Sequence, residues 1–354
     1  MPRRHTSVER EEATDAAAAR IHLGPFRAVP DLLTRMGVRW QPVLRHACIS
    51  RADLEDQELS SPLDRIDRLL GECVARSGCE HFGLLIGQTV DLRSFGIPGR
   101  IALSAPTPGD ALAALVRHFV LHDSAGSPRV AVTDDTAVMS YGIHVPGVGN
   151  AQQVYDLSVA AMCNVLRQLC GAEWRPNAVT LPRKRPPDIA PYREILQAPL
   201  RFDALHAAVV FPSHWLTRRL PDADALLYRL LESRAVQEAA GHGPLLCRET
   251  RRAIRDLQQT GECSRAAVAG RLGLHERTLG RRLQAAGTTF RQLLDASRAD
   301  VAAQLLRDTR SPIARIAESL GYKDATAFTR AFRGWTGVTP REFRTGSRPA
   351  RCRE

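Results

Sequence analysis

Two short stretches near the C-terminus carry side chains suited to a polyanion. In the first, Arg277, Thr278, Arg281 and Gln284 surround Leu279 and Leu283 at helical spacing. In the second, Thr326, Thr329, Arg330 and Arg333 surround Phe328 and Phe332 in the same way. If the apolar residues turn inward, the polar ones face out together. A guanidinium fork matches the O6 and N7 acceptors of guanine, and a carboxamide matches adenine. Guanidinium and hydroxyl groups also hold phosphate, which positions a protein on a duplex without specifying sequence.

Catalytic and metal chemistry are much less visible. The chain has no GxSxG elbow, HExxH pair or P-loop, and no GxGxxG in a strand–helix context. Eight cysteines (48, 73, 79, 163, 170, 247, 263 and 352) include no CxxC pair. Cys73, Cys79 and His81 lie close together, but their spacing fits no common zinc pattern. They read as buried or incidental thiols. No metal, cofactor or enzymatic activity is expected. The enzymatic reading that stays open is a Cys/His pair brought together only by folding.

Helices must position the two polar faces. Ser264 is placed to cap a helix over 265–272, Gly273 makes a turn, and a second helix runs over 276–286. Val268, Leu272, Leu274, Leu279 and Leu283 form a small core, with Ala269 small where the helices cross. This is the pattern of a helix-turn-helix. It recurs 48 residues on. There Ser311 is read as a cap, Pro312 as the first helical residue, Gly321 as the turn and Asp324 as the cap of a helix over 325–335. A longer amphipathic helix over 290–307 joins the two units. Thr339-Pro340-Arg341-Glu342 is a capping box that starts a final short helix.

Charge points the same way. The first 245 residues hold 27 Lys and Arg against 27 Asp and Glu, and the remaining 109 hold 22 against 11. The whole net charge of +11 therefore sits in the last third. A local basic field of that size suits nucleic acid. Lys184 and Lys323 are the only lysines. With 44% apolar and 25% charged residues, the 354-residue chain has the composition of a folded protein. It has no run approaching the ~18 apolar residues of a membrane span, and residues 1–20 lack the apolar core of a secretory signal. The expectation is a cytoplasmic protein without a membrane partner.

The earlier part mixes periods. Helices are expected over 29–45, 62–76, 108–121, 152–170 and 222–239, with a short one over 192–196. Strands are expected over 130–132, 138–145, 178–181, 200–202 and 207–211. His118 and His122, on the 108–121 helix, read mainly as partly buried histidines, with ligand contact as the alternative. Arg183-Lys184-Arg185 reads as a solvated loop, with an anion contact as the alternative. Leu226, Leu227, Leu230 and Leu231 either form a dimer seam or pack on their own domain.

The C-terminal motifs strongly resemble the DNA-binding domain of the AraC/XylS family of bacterial transcription regulators. The resemblance rests on Leu272-Gly-Leu-His-Glu-Arg-Thr-Leu-Gly-Arg-Arg-Leu283, Phe290-Arg-Gln-Leu-Leu294 and Arg298. It also rests on Ile316-Ala-Glu-Ser-Leu-Gly-Tyr322, Phe328-Thr-Arg-Ala-Phe332, Gly337-Val-Thr-Pro340 and Phe343-Arg344. The chain departs from the pattern at His275, where many members have Ser, and at Gly280 inside the first recognition helix. A weaker resemblance covers 25–220 and points to the arabinose-binding-type effector domain of one branch. It rests on His81-Phe-Gly-Leu-Leu-Ile-Gly87, Phe95-Gly-Ile-Pro-Gly99, Leu103-Ser-Ala-Pro-Thr107, Ala111-Leu-Ala-Ala-Leu115 and Pro199-Leu-Arg-Phe-Asp203.

The implied architecture is an α+β N-terminal effector domain followed by an all-α C-terminal domain, in which two helix-turn-helix units are joined by a long helix. The expected divisions are a disordered tail over 1–20, an effector-sensing and dimerisation domain over 21–240 and a hinge over 241–245. A DNA-binding domain over 246–346 and a basic tail over 347–354 follow. The resemblance implies an activator that places two recognition helices in successive major grooves of promoter DNA. Its implied partners are RNA polymerase, a small-molecule effector and a second copy of itself. It places Arg298 on the connecting helix in a structural or phosphate role. The alternative is an accessory DNA-binding protein whose N-terminal domain only dimerises and binds no ligand.

Overall fold

The computed structural model describes residues 19–56, 59–143, 148–240, 246–258 and 263–346. The tail expected over 1–20, apart from its last two residues, the hinge at 241–245 and the basic tail at 347–354 lie outside the described residues. The chain divides into two compact units. One comprises 1–181, 186–201 and 207–242, and the other comprises 182–185, 202–206 and 243–354.

The first unit opens with strand β1 (Arg20–His22) and three short helices, α1 (Val29–Arg35), α2 (Trp40–His46) and α3 (Arg51–Glu55). The apolar run read as one helix over 29–45 is therefore two. Gly37, at φ +72°, turns the chain between them, a conformation glycine reaches without steric penalty. β2 (Ser60–Pro62) pairs antiparallel with β1. Pro62 is the N-cap of α4 (Leu63–Ser77) and not part of its first turn. α4 buries Leu63, Ile66, Leu69, Leu70 and Cys73 as one stripe.

Next come α5 (Phe82–Thr89), α6 (Ile97–Leu103) and α7 (Pro108–His118), then the hairpin β3 (Gly126–Thr133) and β4 (Thr136–Ile143). α8 (Ala151–Cys170), β5 (Ala178–Thr180), α9 (Ala190–Leu196), β6 (Leu200–Arg201), β7 (Ala207–Pro212) and α10 (Ala225–Ala240) complete the unit. The sheet order is β3-β4-β7-β5-β6. Its pairs are antiparallel except the edge pair β5–β6.

α5 and α6 give little helical period in sequence, because α5 is apolar almost all round. Its glycines explain why. A Cβ on Gly83 would sit 2.1 Å from the Gln153 carbonyl oxygen of α8, and one on Gly87 would sit 2.3 Å from that of Leu157. The two helices touch backbone to backbone. Gln153 fastens the contact, its Oε1 accepting from the Gly83 amide at 2.7 Å and its Nε2 donating to the Glu80 carbonyl at 2.8 Å. Farther along α8, the buried Asp156 carboxylate accepts from the Tyr192 hydroxyl at 2.6 Å.

α10 has two faces. Leu231 and Ala235 are buried against Ile97, Ile101 and Ala114 of their own unit. Leu226, Leu227, Leu230 and Val236 are exposed. Arg117 and Glu232 pair at 2.8 Å and help hold α10 on α7.

The second unit is helical: α11 (Leu246–Gln258), α12 (Arg265–Arg271), α13 (Glu276–Ala285), α14 (Phe290–Asp308), α15 (Ile313–Ser319), α16 (Ala325–Thr336) and α17 (Pro340–Thr345). Two readings need correction. Pro312 is the N-cap of α15, before its first residue, and no side chain caps that helix. Ser311 instead donates its hydroxyl to the Asp203 carbonyl at 2.6 Å. Arg183 is buried, not solvated, while Lys184 and Arg185 are exposed. The Arg183 carbonyl accepts the Asp203 amide at 2.8 Å, which draws the segment inward. Among the described residues no helix is long and apolar enough to cross a membrane.

His118 and His122 are both buried and have different surroundings. His118 Nε2 lies 3.4 Å from Glu232. His122 stacks on His22, with ring centroids 5.5 Å apart, beside Phe95 and Phe119. Burial first, and then His22, lower the His122 pKa to about 3. The unfolded chain therefore binds a proton that the folded chain refuses between about pH 6.5 and pH 3. His122 is neutral in both states above that window, and stability falls as pH drops through it, by roughly 1.4 kcal/mol per pH unit for this one group. Urea titrations of the intact protein from pH 7 to pH 4 should show that slope, and His122→Asn should flatten it by about one proton.

Candidate nucleic-acid interface

Two apolar clusters organise the second unit. The first contains Ala253, Ile254, Val268, Ala269, Leu279, Leu283 and Leu293. The second contains Ala302, Leu305, Leu306, Ile316, Ala317, Leu320, Phe328 and Phe332. α14 contributes Leu293 to one and Ala302, Leu305 and Leu306 to the other. Burying each such leucine or phenylalanine contributes ~1.5–3 kcal/mol.

The same turn occurs in both halves. After α12, the Gly273 amide donates to the Gly270 carbonyl at 3.1 Å and the Leu274 amide to the Ala269 carbonyl at 2.9 Å. After α15, the Gly321 amide donates to the Glu318 carbonyl at 2.9 Å and the Tyr322 amide to the Ala317 carbonyl at 3.0 Å. These are paired Schellman bonds, with glycine at φ +65° and +77°. In each half the next apolar residue, Leu274 or Tyr322, then packs on its cluster.

The caps of the following helices differ. Asp324 accepts the Ala327 amide at 2.7 Å. His275 stands where a serine was expected and still caps, with its Nδ1 accepting the Arg277 amide at 3.3 Å. Ser264 and Thr289 accept the Ala267 and Gln292 amides. Thr339 and Glu342 form the full capping box. The Thr339 amide and hydroxyl bonds hold the Glu342 carboxyl below its ordinary pKa.

The expected site residues fall into two sets. On α13, Arg277, Arg281 and Gln284 are exposed and Thr278 is half-buried, opposite the buried Leu279 and Leu283. On α16, Thr326, Arg330 and Arg333 are exposed and Thr329 is half-buried, opposite Phe328 and Phe332. Thr329 already donates its hydroxyl hydrogen to the Ala325 carbonyl at 2.7 Å, leaving only its acceptor lone pairs. Among the described residues, Arg277, Arg281 and Arg330 make no ion pair with a carboxylate. Their guanidinium groups keep their donors outward. Glu276 is engaged by Arg265 at 3.2 Å.

Arg298 has a definite structural place. Its guanidinium lies over the Tyr322 ring, 5.0 Å from the centroid. It thereby ties α14 to the second turn, a cation–π contact worth ~0.5–2 kcal/mol. Sequence reading missed a second tie. Arg255 of α11, 7% exposed, meets Asp300 of α14 at 3.1 Å. Burial pushes the Asp300 carboxyl up, and Arg255 pulls it back. Residues 45 positions apart leave no local signal for such a pair.

The cysteines are mixed: among the described residues Cys48 is exposed and Cys79, Cys170, Cys247 and Cys263 are half-buried. Cys73 and Cys163 are buried, and burial raises both thiols, Cys163 to about 12. Among the described residues, no three His, Cys, Asp or Glu side chains are grouped as a metal would require.

These helices and turns form the DNA-binding half of a transcription regulator, and comparison with known proteins agrees. Residues 37–220 match the model described as the arabinose-binding domain of AraC transcription regulator, N-terminal, and residues 268–346 match a helix-turn-helix domain. The chain belongs to the AraC family of transcriptional regulators, which are not enzymes. It is 28% identical over 316 residues to the HTH-type transcriptional regulator VirS of Mycobacterium tuberculosis, covering 89% of this chain and 93% of VirS. It is 26% identical over 324 residues to VqsM of Pseudomonas aeruginosa (86% and 96% covered). It is also 26% identical over 331 residues to the ornithine utilization regulator of Pseudomonas aeruginosa (90% and 94% covered).

The glycines give a stability test. A Cβ at Gly280 meets nothing within 4 Å, so Gly280→Ala should gain ~1 kcal/mol of helix stability. At Gly321 alanine would have to hold φ +77° with its Cβ 3.2 Å from Arg298 Nη2. That variant should lose roughly 1–2 kcal/mol. Urea unfolding of the two variants should move their midpoints in opposite directions.

Proposed function

We propose that this protein is a sequence-specific, effector-responsive regulator, acting in the cytoplasm and more as an activator than as a repressor. It would place α13 and α16 in successive major grooves of promoter DNA. The observation that carries this reading is the pair of matching turns. Each delivers an outward polar helix face, and one helix is seated in both clusters. α14, with 19 residues, is ~28 Å long at 1.5 Å per residue. That length is comparable with the ~34 Å between successive turns of the duplex.

In this reading Arg281 and Arg330 are the principal DNA contacts. Arg277, Thr278, Gln284, Thr326, Thr329 and Arg333 surround them, and some of these bind phosphate rather than base. The N-terminal unit senses a small molecule and dimerises. The exposed Leu226, Leu227 and Leu230 supply the apolar face for a second copy. RNA polymerase is the partner through which an activator of this kind would work.

A footprint of the full-length protein on its own genomic DNA tests the reading. Two protected stretches ~10 bp apart per protomer, resistant to excess nonspecific DNA, are expected. Arg281→Ala and Arg330→Ala should each weaken specific binding by ~1–3 kcal/mol and relax sequence preference at one position. Wild-type affinity in the double variant would overturn the assignment of the reading helices. Purely salt-governed, sequence-blind binding would overturn the specific-regulator reading.

Dimerisation has its own check. Leu230→Glu should shift the protein to monomer in sedimentation while leaving its unfolding midpoint nearly unchanged, because Leu230 is 66% exposed. An unchanged sedimentation coefficient would discard this face as the seam.

A further inference from the structure

The first unit contains a partly enclosed cavity of about 80 Å³ between its helices and sheet. Its wall is almost entirely apolar: Ile66, Phe95, Met139, Val154, Ala161 and Val165 are representative. Four lining residues bring polar side chains, and three of these already make hydrogen bonds within the unit. Asp123 accepts from the Tyr141 hydroxyl at 2.5 Å and from the Ala125 and Gly126 amides. Ser158 donates to the Val154 carbonyl at 2.7 Å. The fourth is His122, 4% exposed, whose buried Nδ1 has no hydrogen-bond partner among the described residues. A buried polar atom left in that state costs ~1–3 kcal/mol, so it marks a place where a partner belongs.

Charge narrows the class of partner. No lysine or arginine lines the cavity, and its one carboxylate is fully engaged. A carboxylate, phosphate or zwitterion entering it would lose hydration with no cation to meet it. A sugar would bring several hydroxyls to a wall that offers, besides His122 Nδ1, only the remaining acceptor lone pairs of the Ser158 and Tyr141 hydroxyls. Size narrows it further. An apolar cavity of ~150 Å³ holds benzene, so this one takes a chain of about four carbons, or the end of a longer one that projects through the mouth.

We propose that this cavity is the effector site, and that its ligand is a small neutral molecule with an apolar body and one hydroxyl that bonds His122 Nδ1. The proposal rests on the effector-responsive reading above and supplies its ligand class. A hydroxyl serves either tautomer of the imidazole, as donor or as acceptor. His122 stays uncharged at physiological pH, consistent with a neutral ligand.

Calorimetric titration of the intact protein with 1-alkanols from propanol to octanol, with the matching carboxylates and with L-arabinose, tests this. One alcohol should bind per chain. Affinity should rise about fourfold per methylene until the cavity is filled, then level off. The carboxylate of equal length should bind at least tenfold more weakly. His122→Leu should weaken the alcohols about tenfold, and Ala161→Leu, which fills the wall, should abolish binding. Should either variant fail to fold, the series on the unaltered chain still decides, because it discriminates by charge and length alone. Carboxylates or arabinose binding as tightly as the alcohols, or no alcohol binding, would overturn the proposal. Repeating the footprint with and without saturating alcohol separates the two readings. Binding without any change in DNA affinity removes effector response and keeps the site. DNA binding that responds to some other molecule, with no alcohol bound, removes the site and keeps effector response.

Discussion

The C-terminal unit depends on one constraint: a single helix has its two ends in different apolar clusters. Leu293 near the start of α14 belongs with Leu279 and Leu283, and Leu305 and Leu306 near its end belong with Phe328 and Phe332. An α-helix of this length resists bending, so each recognition helix inherits its position from the same rod. The Arg255–Asp300 pair and the Arg298–Tyr322 stack act at the two places where the rod meets its clusters. The arginines that face outward need no carboxylate to hold them, because the apolar side of each helix has already fixed the polar side.

The first unit is organised by closeness of backbones. Gly83 and Gly87 let α5 lie against α8 with no side chain between them. Gln153 then spends both ends of its carboxamide on the junction. That leaves the other side of α8 to face the sheet, and the apolar cavity lies along it.

Much of this was legible in the sequence, for physical reasons. Helices with one apolar stripe, such as α4 and α16, announce themselves by period. Both turns are legible because only glycine sits comfortably at positive φ, and the two glycines recur at a fixed spacing. The polar faces of α13 and α16 follow from those two facts. What was illegible had no period or no local partner. α5 and α6 are apolar on too many sides to show a face. The break at Gly37 is one residue in an apolar run. Ser311 resembles a cap until Asp203 takes its hydroxyl, a contact made across 108 positions. His122 reads as an ordinary core histidine, and only the fold shows that its Nδ1 has no hydrogen-bond partner among the described residues.

The double-sided character of α10 has a mechanical consequence. Its inner face rests on Ile97, two residues beyond Phe95, and Phe95 is part of the cavity wall. Its outer face is the exposed row of leucines. A displacement of the Phe95 ring would therefore act two residues from Ile97, which packs on Leu231 on the inner side of the same helix. The inner and outer faces of one helix thus stand between the cavity-side residues and the exposed leucines.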